Sequence, residues 1–234
     1  MTNTLHRWSD HYAFQRPPHP RPVENDYIVF AMATRGANDD DLVEKYRTFL
    51  RLALRHNPVN LGDATKGGVL RPDHALNPLA HWRRAHRPDP EEVIRGIEGH
   101  TTVAAVFGRY EDMAAFVEEL KQAHLGVSIN ISAPFEAARR CCREVGIAPH
   151  SVEYSLGFQG RVDRLPDRRV LELATMCGHG MVSFNLVRKM LDWVKEGRRD
   201  PETATRYLAR FCICGVFNTT RAAALLDEAR RSGA

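Results

Sequence analysis

The chain has 234 residues, of which 43% are hydrophobic and 26% are charged. This balance is that of an ordinary globular protein, and it excludes a wholly disordered, collagen-like or coiled-coil chain. Lysine and arginine exceed aspartate and glutamate by 33 to 29, and the resulting formal charge of +4 is too small for a dedicated nucleic-acid binder.

The start of the chain has no apolar targeting segment, and no stretch of about 18 apolar residues occurs anywhere. We therefore expect neither a secretory signal nor a membrane span. The five cysteines are too few for a disulfide scaffold, so we expect reduced thiols and a cytoplasmic location.

The first part of the chain divides into an arm, a strand, a helix and an irregular stretch. Residues 1–25 are rich in proline, which predicts an extended N-terminal arm. An apolar run at 27–33 predicts a buried strand, and an amphipathic helix is expected from Leu42 to near His56. Residues 57–89 carry a chain breaker every few positions, which is typical of a binding loop, a lid or a disordered segment.

From residue 101 the pattern alternates between strands and helices. Strands are predicted at 101–107, 126–131 and 150–158, and helices at 111–123 and 134–145. This alternation predicts an α/β domain over 26–160 with a small, mostly parallel or mixed sheet of about four strands. A three-layer sandwich and a ferredoxin-like two-layer sheet both fit the order of elements, and the pattern does not determine the strand order.

After residue 161 the strand patterns disappear. Four helices are predicted at 165–175, 182–195, 202–211 and 219–231. Two of them begin with good capping residues, Asp200 followed by a proline and Asn218. We therefore expect a C-terminal helical subdomain over 161–234.

This subdomain contains two short loops that are rich in metal-binding side chains. Cys177 and His179 lie in the first loop, and Cys212 and Cys214 lie in the second. Two predicted helices lead the chain away from the first loop and back to the second, so we expect the loops to face each other. Each loop precedes a predicted helix, whose start favours the thiolate form that binds metals and attacks electrophiles.

Neighbouring residues complete the predicted site. Gly178, Gly180 and Gly215 permit a close approach of the backbone to a bound group. Ser183 and Asn185 follow the first loop and are candidates for polar contacts with a bound group. A separate pair, Cys141 and Cys142, is expected to contribute to packing, with Cys142 on the core side of its helix.

The ligand types suit an iron–sulfur cluster, which is our first expectation, or zinc, which is the alternative. With His179 as fourth ligand the site is closed, whereas an unbound His179 becomes a general acid or base beside an open metal position. A reactive-thiol site without metal and plain packing of the cysteines are the other hypotheses.

These patterns predict a metal- or iron–sulfur-dependent enzyme, a lyase, hydrolase or oxidoreductase, that acts on a small substrate, an anion being one option. The alternative is a metal carrier or cofactor-assembly protein without catalysis. The partner we expect is therefore a small molecule, with neither nucleic acid nor a membrane involved. Association of the chain into a homo-oligomer is compatible with these patterns.

Overall fold

The computed structural model describes residues 25–64, 67–68, 89–153, 160–212 and 214–232. The strands are β1 (Tyr27–Met32), β2 (Asn60–Asp63), β3 (Gly67–Gly68), β4 (Thr102–Phe107) and β5 (Ser128–Ser132). The α-helices of the described residues are α1 (Leu42–Leu54), α2 (Pro90–Arg95), α3 (Tyr110–Ala123), α4 (Phe135–Val145), α5 (Arg168–Ala174), α6 (Phe184–Lys195), α7 (Pro201–Ala209) and α8 (Thr219–Arg231). None of these helices has the length and apolar character needed to cross a membrane, as far as the described residues go.

The strands form one sheet in the order β3-β2-β4-β1-β5, and every pairing in it is antiparallel. The expected α/β class, with four main strands, agrees with this sheet, but the expectation of a mostly parallel or mixed sheet is wrong. The connections β1-α1-β2 and β4-α3-β5 each join two strands of the same direction. Strand β4 lies between β1 and β2, and strand β1 lies between β4 and β5. This is the split βαβ arrangement of ferredoxin-like sheets.

The expected sheet was wrong because strand pairing depends on contacts between distant segments, which the local pattern does not contain. Strand β2 arises inside the stretch 57–89 that we expected to be irregular, and it pairs with β4 from Asn60 to Asp63. The strand expected at 150–158 is not seen at 151–153, where the backbone has no regular structure. The rest of that stretch, at 154–159, lies outside the described residues.

One face of the sheet packs against helices α1 to α4. Alternate residues of β1, such as Val29 and Ala31, point into this layer and are fully buried. Phe116 of α3 is central to it, because its ring lies 5.1 Å from that of Phe49 and 5.2 Å from that of Phe107. Burial of large aromatic side chains is a major stabilising contribution to such a core.

The other face packs against the C-terminal helices. Ile28 of β1 and Ala104 and Val106 of β4 belong to the same buried cluster as the apolar faces of α5 to α8. The sheet therefore lies between two helical layers. The division into an α/β domain (26–160) and a helical subdomain (161–234) stays a prediction, and the arm lies outside the described residues except for Asn25.

Candidate functional site

The structure brings the two predicted ligand loops together. Cys177 ends a short 3₁₀ turn after α5, and Cys212 and Cys214 follow α7. The Sγ atoms of Cys212 and Cys214 are 4.0 Å apart, and Cys214 Sγ lies 3.4 Å from Nδ1 of His179. Cys177 forms hydrogen bonds with the Cys212 thiol and with His179. We call these four residues the thiol–imidazole cluster.

The members of the cluster differ sharply in exposure. Cys177, Cys212 and Cys214 retain 0%, 1% and 5% of their accessible surface, and all three are free thiols. His179, in contrast, is exposed. The three sulfurs therefore lie within the core cluster of the C-terminal helices, and the imidazole covers them on the solvent side.

Hydrogen bonds between the sulfurs shift the pKa values of the three thiols in different directions. The hydrogen bond with Cys212, together with burial, raises the pKa of Cys177. The bond with Cys177 lowers the pKa of Cys212, but the bond with Cys214 and burial outweigh it, and the pKa rises to about 12. The hydrogen bond from Cys212 lowers the pKa of Cys214. The thiolate is therefore stabilised at Cys214, the sulfur next to the imidazole.

The first loop needs two of its predicted glycines for its backbone conformation. Gly178 and Gly180 have φ angles of +75° and +69°, in the left-handed region that side chains with a Cβ rarely adopt. Gly215 is buried directly after Cys214. The two polar candidates make their described hydrogen bonds within α6 instead. Ser183 caps the helix by accepting the Leu186 N–H, and Asn185 accepts from the Arg188 guanidinium.

Sequence analysis missed a set of buried amides that hold the second loop on the sheet. The Nδ2 group of Asn60, on β2, donates to the Phe217 carbonyl at 3.0 Å. Asn218 donates to the Asn25 carbonyl at 2.8 Å and to the Asp26 carboxylate at 3.1 Å, while its Oδ1 caps α8. The cap was predicted and is confirmed. The contacts with Asn25 and Asp26, just before β1, were not predicted.

A buried guanidinium extends this connection to the first loop. Arg221 of α8 lies 3.3 Å from Asp26 at the start of β1 and 3.9 Å from Glu172 of α5, which leads to Cys177. Glu172 also pairs with Arg168 at 2.7 Å. These residues are far apart in the chain and none has an unusual local pattern, so no sequence signal could have found them. We call Asp26, Arg221 and Glu172 the buried ion-pair network.

The thiol–imidazole cluster has only part of the geometry that a metal site requires. Among the described residues, no group of three or more His, Cys, Asp or Glu side chains could hold a metal ion as placed. The pair distances nevertheless resemble those between ligands of one tetrahedral ion. Bonds of about 2.3 Å to sulfur and about 2.0 Å to nitrogen separate two sulfurs by about 3.8 Å and a sulfur and a nitrogen by about 3.5 Å. These two separations match those of a tetrahedral ion, but the four side chains as placed do not form a metal site.

The other cysteine pair behaves as packing residues. Cys141, rather than Cys142, is the buried one, and burial raises the pKa of its thiol to about 12. Cys142 is only partly buried. The expectation that Cys142 occupies the core side was wrong because α4 is rotated so that Cys141 and Val145 face the core.

Comparison with known proteins does not identify the chain: no protein family, curated protein or solved structure matches it. The function is therefore inferred from the geometry and chemistry of the thiol–imidazole cluster.

Proposed function

We propose that this chain is a metal-dependent enzyme that binds one metal ion through Cys177, Cys212, Cys214 and His179. The observation that supports the proposal is the convergence of three buried free thiols and one imidazole, with ligand-like separations of 4.0 Å and 3.4 Å. Cysteine and histidine together form a typical donor set for zinc in proteins.

These two separations favour a single tetrahedral ion, such as zinc, over a four-iron cluster. In a four-iron cluster each cysteine binds a different iron atom, so its sulfurs are further apart than two ligands of one ion. Zinc has no redox chemistry, which favours a lyase or hydrolase over an oxidoreductase. The iron–sulfur cluster stays a prediction, and the metal analysis described below tests it as well.

Catalysis is favoured over metal delivery by the burial of the thiols. A carrier passes its metal on by ligand exchange and therefore needs sulfurs that a partner can reach. Here the three sulfurs are 0–5% exposed, which favours retention of the metal. The exposed imidazole leaves one side of the site accessible to a small substrate.

When bound, the metal supplies Lewis-acid polarisation of a substrate group. The three thiols would hold such an ion, and the buried ion-pair network fixes the segments that carry them. His179 would be the fourth ligand or, if it did not bind the metal, a base beside it. An anionic substrate is compatible with this arrangement, since the position next to a Zn²⁺ ion accepts anions.

Metal analysis of the purified protein tests the proposal. We expect about one zinc ion per chain, and a large loss of metal in Cys212→Ala and Cys214→Ala. Cys142→Ala is the matched control, because this cysteine lies on α4, outside the cluster, and we expect it to retain the metal. Circular dichroism of each variant shows whether metal loss occurs in a folded protein.

The outcomes separate the hypotheses. A coloured protein with iron and acid-labile sulfide would indicate the iron–sulfur cluster instead of zinc. Rapid loss of zinc to a mild chelator would favour the carrier. Folded wild-type protein that takes up neither metal, even after reconstitution under reducing conditions, would refute the proposal and leave the cysteines as packing residues.

A further inference from the structure

We infer that the thiol–imidazole cluster is a redox-active dithiol, in which a small hydroperoxide oxidises Cys214 and Cys212 then closes a disulfide with it. This inference goes beyond the proposed function, because the sulfurs meet as they are placed and the reaction needs no metal. It is carried by three observations: the contact between two sulfurs, the position of the imidazole, and the access to Cys214.

The first observation is that Cys212 contacts the other sulfurs of the cluster. Its Sγ atom lies 4.0 Å from that of Cys214, and it also forms a hydrogen bond with Cys177. A disulfide needs the two sulfurs at about 2.0 Å and the two Cα atoms within about 6.8 Å. Residues two apart in a chain have Cα atoms at most about 7 Å apart, and less when the chain turns. Cys214 lies in a turn, so side-chain rotation can close the remaining gap between the sulfurs.

The second observation is the position of the imidazole. Nδ1 of His179 lies 3.4 Å from Sγ of Cys214. An imidazole in this position can take the proton of the thiol and leave the thiolate, which is the nucleophilic form of cysteine. Cys212 forms its hydrogen bonds with the other two sulfurs instead. Cys214 is therefore the sulfur that attacks the peroxide, and Cys212 is the thiol that resolves the product.

The third observation is the difference in access to the sulfurs. Cys214 retains 5% of its accessible surface, whereas Cys177 and Cys212 retain 0% and 1%. His179 covers the sulfurs but is itself exposed, and it stands between two glycines with positive φ. No described atom lies within 4 Å of the position that a Cβ would occupy on Gly180, so the loop is uncrowded there. This side of the cluster admits an oxidant of the size of a small hydroperoxide.

The reaction consumes one hydroperoxide for each disulfide. The Cys214 thiol gives its proton to His179, and the sulfur attacks the terminal peroxide oxygen, so the O–O bond breaks and a sulfenic acid forms. The leaving oxygen takes the proton from the imidazolium and departs as water or an alcohol. The Cys212 sulfur then attacks the Cys214 sulfur, the S–O bond breaks, and the hydroxyl leaves as water with the Cys212 proton. The two thiols lose two electrons, and the peroxide gains them.

Treatment of the full-length chain with hydrogen peroxide tests this inference. The protein is reduced and assayed in the presence of a chelator, so that no bound metal protects the thiols, and the protein as purified is treated in parallel. We expect the loss of two of the five free thiols and a Cys212–Cys214 disulfide in peptide mass spectrometry. Circular dichroism shows whether the chelator-treated protein is folded; if it is not, the result is scored on the purified protein.

Single substitutions assign the roles within the cluster. Cys212→Ser should stop at the sulfenic acid of Cys214, which dimedone traps, and Cys214→Ser should form no disulfide in the cluster. His179→Ala should slow disulfide formation at least about tenfold, because the base that takes the thiol proton is gone. Cys142→Ala is the matched control, because this cysteine lies on α4, and it should form the disulfide at the wild-type rate.

The contrary outcomes differ from one another. Cluster thiols that stay reduced, or a disulfide that joins Cys212 to Cys177 instead of Cys214, would overturn the inference. Oxidation of Cys214 to a sulfinic acid without any disulfide would show that Cys212 cannot reach it and would overturn the inference as well. Metal analysis gives an independent result. A chain that never binds metal but forms the disulfide would refute the proposed function alone, and a metal-binding chain whose folded form resists peroxide would refute this inference alone.

Discussion

Replacement of Arg221 tests how the buried ion-pair network holds the site in place. Its guanidinium lies between Asp26 and Glu172, at 3.3 Å and 3.9 Å, and these side chains retain 10%, 0% and 5% of their accessible surface. Replacement by methionine keeps the length of the side chain and removes the charge. Two buried carboxylates then lose the positive charge that they share.

The size of the stability loss depends on the partners that the two carboxylates keep in the variant. Loss of one partner from a buried ion pair costs about 3–5 kcal/mol. Glu172 keeps Arg168 at 2.7 Å, and Asp26 keeps the Asn218 amide at 3.1 Å, so the lower end of this range applies. We expect Arg221→Met to lose about 3 kcal/mol of unfolding free energy, which lowers Tm by about 6–12 °C in a chain of this size.

Urea and thermal unfolding followed by circular dichroism measure this loss. The control is Arg230→Met, which breaks an exposed pair with Asp227 on the same helix and should change stability by less than about 0.5 kcal/mol. The double variant Asp26→Asn with Arg221→Met should be more stable than Arg221→Met alone, because position 26 then carries no buried negative charge. A loss below about 1 kcal/mol in Arg221→Met, or no recovery in the double variant, would refute the reasoning.

Three further predictions concern the α/β layer. Phe116→Ala removes a ring that contacts two other phenylalanine rings, and we expect a loss of about 3–5 kcal/mol in urea unfolding. A hydrogen bond from His56 lowers the pKa of Glu119 in the folded protein. The carboxylate therefore stabilises the fold above its unfolded pKa of about 4.3. This stabilisation is lost as pH falls through the folded pKa. Glu119→Gln should accordingly be slightly less stable than wild type at pH 7, and the difference should disappear as pH falls through the folded pKa of Glu119. A difference that stays constant over this fall would contradict the assignment. Thiol labelling of the native protein should modify Cys142 much faster than the buried Cys141; equal rates, or faster labelling of Cys141, would show that α4 is not packed as described.

The helices were largely predictable from local sequence. The expected bounds of α8 agree with Thr219–Arg231, and those of α3 and α6 differ by one or two residues at their starts. The predicted caps Asp200 and Asn218 both accept hydrogen bonds from backbone N–H groups of their helices. This agreement is expected because helix periodicity and capping depend on residues that are near one another in the chain.

The sheet was less predictable because strand pairing is a long-range property. Strand β2 contains Asn60, Gly62 and Asp63, residues that rarely favour strands, and it is formed by pairing with β4. Strand direction depends on which strands become neighbours, and the hydrophobic pattern of a single strand does not contain this information. The antiparallel order was therefore missed although most of the individual strands were found.

For the candidate site, the sequence by itself determined which four residues form the thiol–imidazole cluster and that their two loops meet. Cysteine and histidine are chemically distinctive, and the lengths of α6 and α7 return the chain to its starting point. Only the tertiary structure decided that the sulfurs are buried and the imidazole is exposed. It alone shows that Asp26, Arg221 and Glu172 join both loops to β1. The physical reason is that burial and ion pairing depend on contacts between segments up to 195 residues apart, which no local pattern encodes.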